Sequence, residues 1–269
     1  MQMEKFNTYN EIITQTSAWE DAINVVEKNI DQIKEIDLGK YQNILVIGCG
    51  STYYLSLTAA SLIQLKVGIT AQPFPSSELM LFPEYYLGEG KKLLIAISRS
   101  GTTSETLYVV KSFKENNCGD VIVISNYEDS PLIALGDIQF SVQEGKELGI
   151  AQTKSFSSMF MVVCTLIQIL SGDKSSKWDK DVLINHGNQL INEFQKSAEK
   201  LGKENNFNQV FFLGSGPLYG LACEASLKLK EMSQTITEPF HFLEFRHGPI
   251  SMVDEKTLVI GLICAIKIE

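Results

Sequence analysis

The chain predicts an α/β fold made of two tandem three-layer α/β/α units on parallel sheets, the second of them cut short toward its C-terminus. Three observations carry that prediction. Short buried-strand patterns alternate with helical ones, as parallel strands joined by crossover helices require. A glycine turn occurs twice, as Gly48-Cys49-Gly50 and as Gly214-Ser215-Gly216, at an offset of 166 residues. The same offset lays Tyr53 on Tyr219, Leu55 on Leu221, Ala59 on Ala225 and Leu93-Leu94 on Val259-Ile260. That is a two-copy duplication rather than a solenoid.

The elements follow in order. Residues 9–36 carry Ile12, Ile13, Trp19, Ile23, Val26, Ile30 and Ile33 near helical spacing and read as a helical arm over 1–38. The first unit spans 39–171. It opens with the strand Asn43–Ile47 and the turn Gly48–Thr52, then a helix through Leu65 and a strand near Ile69–Phe74. Leu93–Ile97 is a second fully apolar strand, ending in Ser98-Arg99-Ser100-Gly101-Thr102-Thr103. A helix to about Asn116, strands Val121–Ser125 and Ile138–Val142, and a helix over Thr153–Leu170 complete it. Polar residues 172–180 read as a linker. The second unit, 181–269, opens with a helix over 181–203 and the strand Gln209–Leu213. Copy one runs to about residue 170, so copy two is expected to run well past Glu269, where the sequence stops.

The net charge is −9 and apolar residues make up 44%. A full core is affordable, while nucleic acid is excluded as a partner because no basic cluster exists. The N-terminus has no apolar stretch of signal type, and the longest apolar run, Met159–Leu170, is too short to cross a bilayer. No membrane partner is expected. Five cysteines, none in a CxxC pair, argue for free thiols in a reducing, cytoplasmic setting. Cysteines and histidines show no zinc-type spacing.

Five hydroxyl residues crowd the start of the helix after Ile97: Ser98, Ser100, Thr102, Thr103 and Ser104. Helix N-termini attract phosphate, hydroxyls add donors, and Gly101 allows close backbone approach. The plain alternative is a helix cap rich in serine. The turn Gly48–Thr52 is neither GxGxxG nor a P-loop; it is a tight strand-to-helix turn, or one in which Ser51 and Thr52 share a phosphate or a sugar hydroxyl. On the helix Leu221–Met232, Ala222, Ala225, Leu229 and Met232 share one side. Glu224, Lys228 and Glu231 share another, as a solvated salt-bridge ladder or as an acid–base row. His241 and His247 follow closely, the latter in a loop closed by Gly248-Pro249.

These residues together resemble the sugar isomerase (SIS) family, namely the isomerase part of glucosamine-6-phosphate synthase and its stand-alone relatives, deaminases, deglycases and ketose/aldose isomerases. IGCGSTYY, SRSGTTSET, ELGIAQTKSF, LGSGPLYGLACEASLKLKEMS and EFRHGP resemble five family motifs, in the family's order. The resemblance implies a sugar phosphate as substrate, with Ser98, Ser100 and Thr103 holding its phosphate and Ser51 or Thr52 nearby. Arg99 stands where synthases carry glutamine, as a substrate contact that adds charge to the phosphate site or as a side chain that points away from it, and Gln152 stands where they carry serine, at an implied substrate contact of altered type. Glu231 matches the base that moves a proton between C1 and C2. Lys228 matches the lysine that steadies the enediolate-like intermediate. His247 matches the ring-opening residue, supplied across a homodimer interface. One carboxylate can serve both proton steps, histidine exchanges protons near neutrality, and a cation beside a developing oxyanion lowers the barrier; no metal or redox cofactor is required. The expectation is an amino-sugar-phosphate deaminase/isomerase, with a fructosamine-phosphate deglycase or ketose/aldose isomerase, and a non-catalytic sugar-phosphate-binding module, as the alternatives. The sequence before these units lacks a glutaminase-type N-terminal cysteine, and the family's C-terminal lysine is expected beyond Glu269, Lys267 not being its equivalent.

Overall fold

The computed structural model describes residues 6–172, 179–204 and 206–264. Most of the linker read over 172–180, and Lys267, lie outside them. The first unit is a parallel five-stranded sheet in the order β2-β1-β3-β4-β5, formed by β1 (Asn43–Gly48), β2 (Ala71–Pro75), β3 (Lys92–Ile97), β4 (Gly119–Ser125) and β5 (Ile138–Ser141). Apolar runs make the central strands. Residues Ile44–Ile47 and Leu93–Ile97 are buried on both faces of the sheet, as a sheet covered by helices on both sides demands.

The covering helices divide by face. On one side α4 (Ser51–Lys66) and α8 (Lys154–Leu170) pack on Ile44, Val46, Leu93 and Ile95. On the other, α5 (Ser76–Leu81) and α7 (Ser104–Glu115) cover Leu45, Ile47, Leu94 and Ala96, with Phe113 fully buried. A short helix α6 (Pro83–Leu87) precedes β3. Crossovers of one hand leave β1 and β3 toward opposite edges of the sheet, so a crevice opens between their carboxyl ends.

The leading helices do not stand off as an arm. They are α1 (Asn7–Ile13), α2 (Gln15–Lys28) and α3 (Ile30–Lys34). Ala18, Ala22 and Val26 of α2 are completely buried, and Ala22 and Val26 share one core with Met159, Val162 and Leu166 of α8. The Trp19 indole donates to Ser157 Oγ at 2.9 Å. Small residues let α2 approach closely, which the larger apolar positions did not reveal. The helix α9 (Lys180–Lys203) also turns to the first unit. Thr16 donates to Asn188 at 2.8 Å, Lys180 to Asn24 at 2.9 Å, and Gln195 to the Tyr9 hydroxyl at 2.9 Å.

The second unit holds β6 (Gln209–Leu213), α10 (Pro217–Ser233), β7 (Ile236–Phe240) and β8 (Thr257–Gly261), a parallel sheet in the order β7-β6-β8. This repeats the β2-β1-β3 part of the first sheet. The duplication extends to backbone angles: the helix-entry glycines Gly50 (φ 57, ψ −124) and Gly216 (φ 56, ψ −131) adopt the same left-handed turn, which a side chain would strain. The two units meet through α4 and α10. A Cβ on Gly220 would sit 2.3 Å from Thr58 Oγ1 and 2.4 Å from the Tyr54 carbonyl, and Thr58 donates to the Pro217 carbonyl at 2.9 Å. Among the described residues, no helix is long and apolar enough to cross a membrane.

Candidate active site

The hydroxyl loop sits at the carboxyl end of β3, beside the turn that ends β1, at the crevice where doubly wound sheets take ligands. Gly101 has φ 63, and a Cβ there would stand 2.0 Å from Ser130 Oγ, so only glycine allows the loop to fold against β4's end. Ser98 and Thr103 hydroxyls lie 3.0 Å apart, and Ser98 Oγ accepts from the Gly101 amide at 3.2 Å. Ser100 and Thr102 hydroxyls are 2.9 Å apart. The loop thus brings Ser98, Ser100 and Thr103 to the N-terminus of α7, a polarity suited to an anion.

Across the crevice, α10 presents its charged row. Lys228 Nζ lies 3.3 Å from Glu224 Oε1, donates to Glu231 Oε2 at 2.5 Å and to Ser51 Oγ at 3.1 Å. The last contact joins the units, because Ser51 is the first residue of α4. Glu224 is buried, with 5% exposure. Neither of its oxygens has a hydrogen bond of full geometry, which leaves the Lys228 ammonium as its main partner. Burial pushes the Glu224 carboxyl up to about 7, and Lys228 and Ser51 pull the other way. The three charged groups are therefore not a solvated ladder. Glu224 lies at the bottom, Lys228 is half-buried and Glu231 is exposed at the mouth.

Three further candidate residues are placed as follows. Thr52 spends its hydroxyl within its own turn, accepting from the Cys49 amide at 2.9 Å and donating to the Cys49 carbonyl at 3.0 Å. Arg99 reaches the Gly149 and Ile150 carbonyls, at 3.3 and 2.9 Å. His247 is exposed in the loop after β7, and no side chain of the described residues pairs with its ring. Gln152 presents a side-chain oxygen that is shielded from solvent without a hydrogen-bond donor. Two features were not foreseen. Tyr219 stacks on His241 with ring centres 3.7 Å apart, and burial together with Cys223 pushes the Tyr219 hydroxyl up to about 12. Neither carries a sequence signal, since the partners meet only through the fold.

A hydroxyl-lined crevice facing a lysine–carboxylate row, on two units with the same strand–turn–helix start, has the make-up of a family of sugar-phosphate-handling domains. The SIS domain family matches residues 37–169 and 205–264, and the chain belongs to it. The glutamine–fructose-6-phosphate aminotransferase (isomerizing) of Vibrio parahaemolyticus is 29% identical over 257 residues, covering 92% of this chain and 41% of that enzyme. The chain spans about two fifths of the length of the curated relatives it matches. The glucosamine-6-phosphate deaminase structure from Thermotoga maritima superposes with a TM-score of 0.82 at 26% identity, over 95% of this chain and 76% of that one. The tagatose-6-phosphate ketose/aldose isomerase structure from Escherichia coli shares the fold, with a TM-score of 0.81 at 22% identity, over 99% and 75% of the two chains.

Proposed function

We propose that the chain is an amino-sugar-phosphate deaminase/isomerase, turning glucosamine 6-phosphate and water into fructose 6-phosphate and ammonia. The observation that carries this reading is the Ser51–Lys228–Glu231 contact, which joins an anion crevice on one unit to an acid–base pair on the other. Ser98, Ser100 and Thr103 hold the phosphate. Glu231 takes the proton from C2 of the open-chain sugar and returns it to C1. Lys228 steadies the oxyanion that forms between these steps. The resulting C2 imine is hydrolysed by water, and ammonia leaves. Glu224, buried beneath Lys228, holds that ammonium in place. His247 opens the ring from a second protomer, in keeping with its exposure.

The test mixes purified chain with glucosamine 6-phosphate and follows ammonia and fructose 6-phosphate together. Both appear in equal amounts under this reading. Interconversion of a ketose and an aldose phosphate without ammonia would make it a plain isomerase, and ammonia released only from a fructosamine-type phosphate would make it a deglycase. Binding without any turnover would leave a sugar-phosphate-binding module. Light scattering checks the homodimer: a monomer at assay concentration removes the role given to His247.

A further inference from the structure

Segment 147–150, Glu-Leu-Gly-Ile, has no apolar anchor of its own. Leu148 and Ile150 are 84% and 94% exposed. Its backbone is held instead by two charged side chains from distant parts of the chain. Glu11 on α1 accepts from the Leu148 amide at 2.6 Å and the Gly149 amide at 3.0 Å through one oxygen. Arg99, within the hydroxyl loop, donates from one nitrogen to the Gly149 and Ile150 carbonyls at 3.3 and 2.9 Å. Its main-chain carbonyl is fixed in turn, accepting from Ser125 Oγ and the Asn126 amide, both at 3.1 Å. Glu147, whose side chain is fully buried, lies 3.9 Å from Arg99. It accepts from the Thr153 amide at 2.7 Å, from the Thr153 hydroxyl at 2.5 Å and from the Ser155 hydroxyl.

We infer that Arg99 and Glu11 are positioning residues for the proposed reaction. They clamp segment 147–150 from its carbonyl and amide sides and so fix where Gln152 meets the sugar. Three features favour a clamp over direct phosphate binding by Arg99. Its guanidinium already serves two carbonyls, it lies beside the Glu147 carboxylate, and Gln152 Oε1 lacks a protein donor. A sugar hydroxyl is the donor that this oxygen would take, since an unpaired buried acceptor is costly. The clamp also explains why α1 belongs to the unit although it touches none of the proposed substrate ligands. This inference rests on the sugar-phosphate reading, but its physical core is the state of two backbone amides.

The experiment compares the intact chain with Arg99→Gln, Glu11→Ala and Glu11→Gln. Amide hydrogen exchange at Leu148 and Gly149, KM and kcat on glucosamine 6-phosphate, and the affinity for inorganic phosphate are measured for each. Arg99→Gln and Glu11→Ala are expected to speed exchange at both amides about tenfold or more, as loss of a charge-assisted hydrogen bond implies. They raise KM about tenfold with kcat changed less than about threefold, and leave inorganic phosphate affinity within about twofold. Glu11→Gln retains an acceptor oxygen and restores slow exchange and the original KM. Phosphate affinity falling about tenfold in Arg99→Gln would make Arg99 a phosphate ligand and overturn the clamp. Unchanged exchange in both variants would overturn it as well. If the intact chain turns over no sugar phosphate, the proposed function fails while the exchange rates still decide whether the clamp exists.

Discussion

The same strand–turn–helix unit occurs twice in this molecule, and the two copies have been put to different use. In the first, β1 enters α4 through a helix whose first residue is Ser51; in the second, β6 enters α10 through Pro217 at the matching position. Pro is favoured there because its missing N–H is unpaired in any helix, but it offers no hydroxyl. Among the described residues the first copy forms five strands with a core on each face of its sheet, and the second forms three strands that repeat β2, β1 and β3. One copy presents neutral hydroxyl donors and the other presents ionisable groups, and under the proposed reaction the first would hold the anion while the second moves the proton.

The comparison is tested hardest at Glu231. Glu231→Gln keeps the shape and the hydroxyl loop but removes the proposed base, so kcat is expected to fall by about 10³-fold, with sugar-phosphate affinity within a few fold. Calorimetry on the variant separates the two quantities. A variant that still turned over would move the chemistry away from the second unit.

Glu224 gives the next largest effect, read as stability against pH. Its carboxyl is raised from 4.5 to about 7 in the folded chain, chiefly by burial. Between those values the folded protein holds a proton that the unfolded chain has lost. The stabilisation is fully present below about 4.5 and disappears as pH rises through about 7. At ~1.4 kcal/mol per unit the loss is about 3 kcal/mol. Urea midpoints at pH 5 and pH 8 would show that loss in the intact chain, and a much flatter profile in Glu224→Gln. Equal slopes would mean that Glu224 is ionised throughout.

Gly220 tests whether the copies act as one body. A Cβ there would meet the Tyr54 carbonyl, which is backbone and cannot swing aside. Gly220→Ala is expected to cost about 2 kcal/mol by overpacking and to lower kcat as α10 is displaced from Ser51. Chemical denaturation measures the first and steady-state kinetics the second. Loss of stability without loss of turnover would show that the Lys228–Ser51 contact is dispensable.

Much of this was legible in the residues because burial on both faces writes itself as unbroken apolar runs. Ile44–Ile47, Leu93–Ile97 and Val210–Leu213 are examples, and the repeated glycine turn exposed the duplication. The helices α5 and α6 were missed because each is too short for a helical period to show. The strand β7 reads Ile-Thr-Glu-Pro-Phe and looks like a loop; among the described residues it is an edge strand paired with β6 alone, a position that tolerates Pro239. For the charged row, periodicity assigned Glu224, Lys228 and Glu231 to one side of α10, but depth is a property of the neighbour. Only the close approach of α4 makes Glu224 a buried group and Glu231 an exposed one. For Arg99 the residues left two directions open, toward the hydroxyl loop or away from it, and the carbonyls it meets lie some fifty residues further along the chain, where no local pattern points to them.

Ser51→Ala is the finest test, because it makes the first copy resemble the second at one atom. Alanine suits the first turn of α4 at least as well as serine, so the fold should be indifferent. What disappears is the 3.1 Å contact to Lys228. Lys228 keeps Glu224 and Glu231, so the ammonium stays paired but loses the contact that ties it to the anion side. A net hydrogen bond to a charged group of this exposure is worth about 1 kcal/mol, or about fivefold in kcat/KM, with inorganic phosphate affinity unchanged if Ser51 serves Lys228 and reduced if it serves the anion. The substitution therefore decides whether the contact across the crevice belongs to binding or to proton transfer.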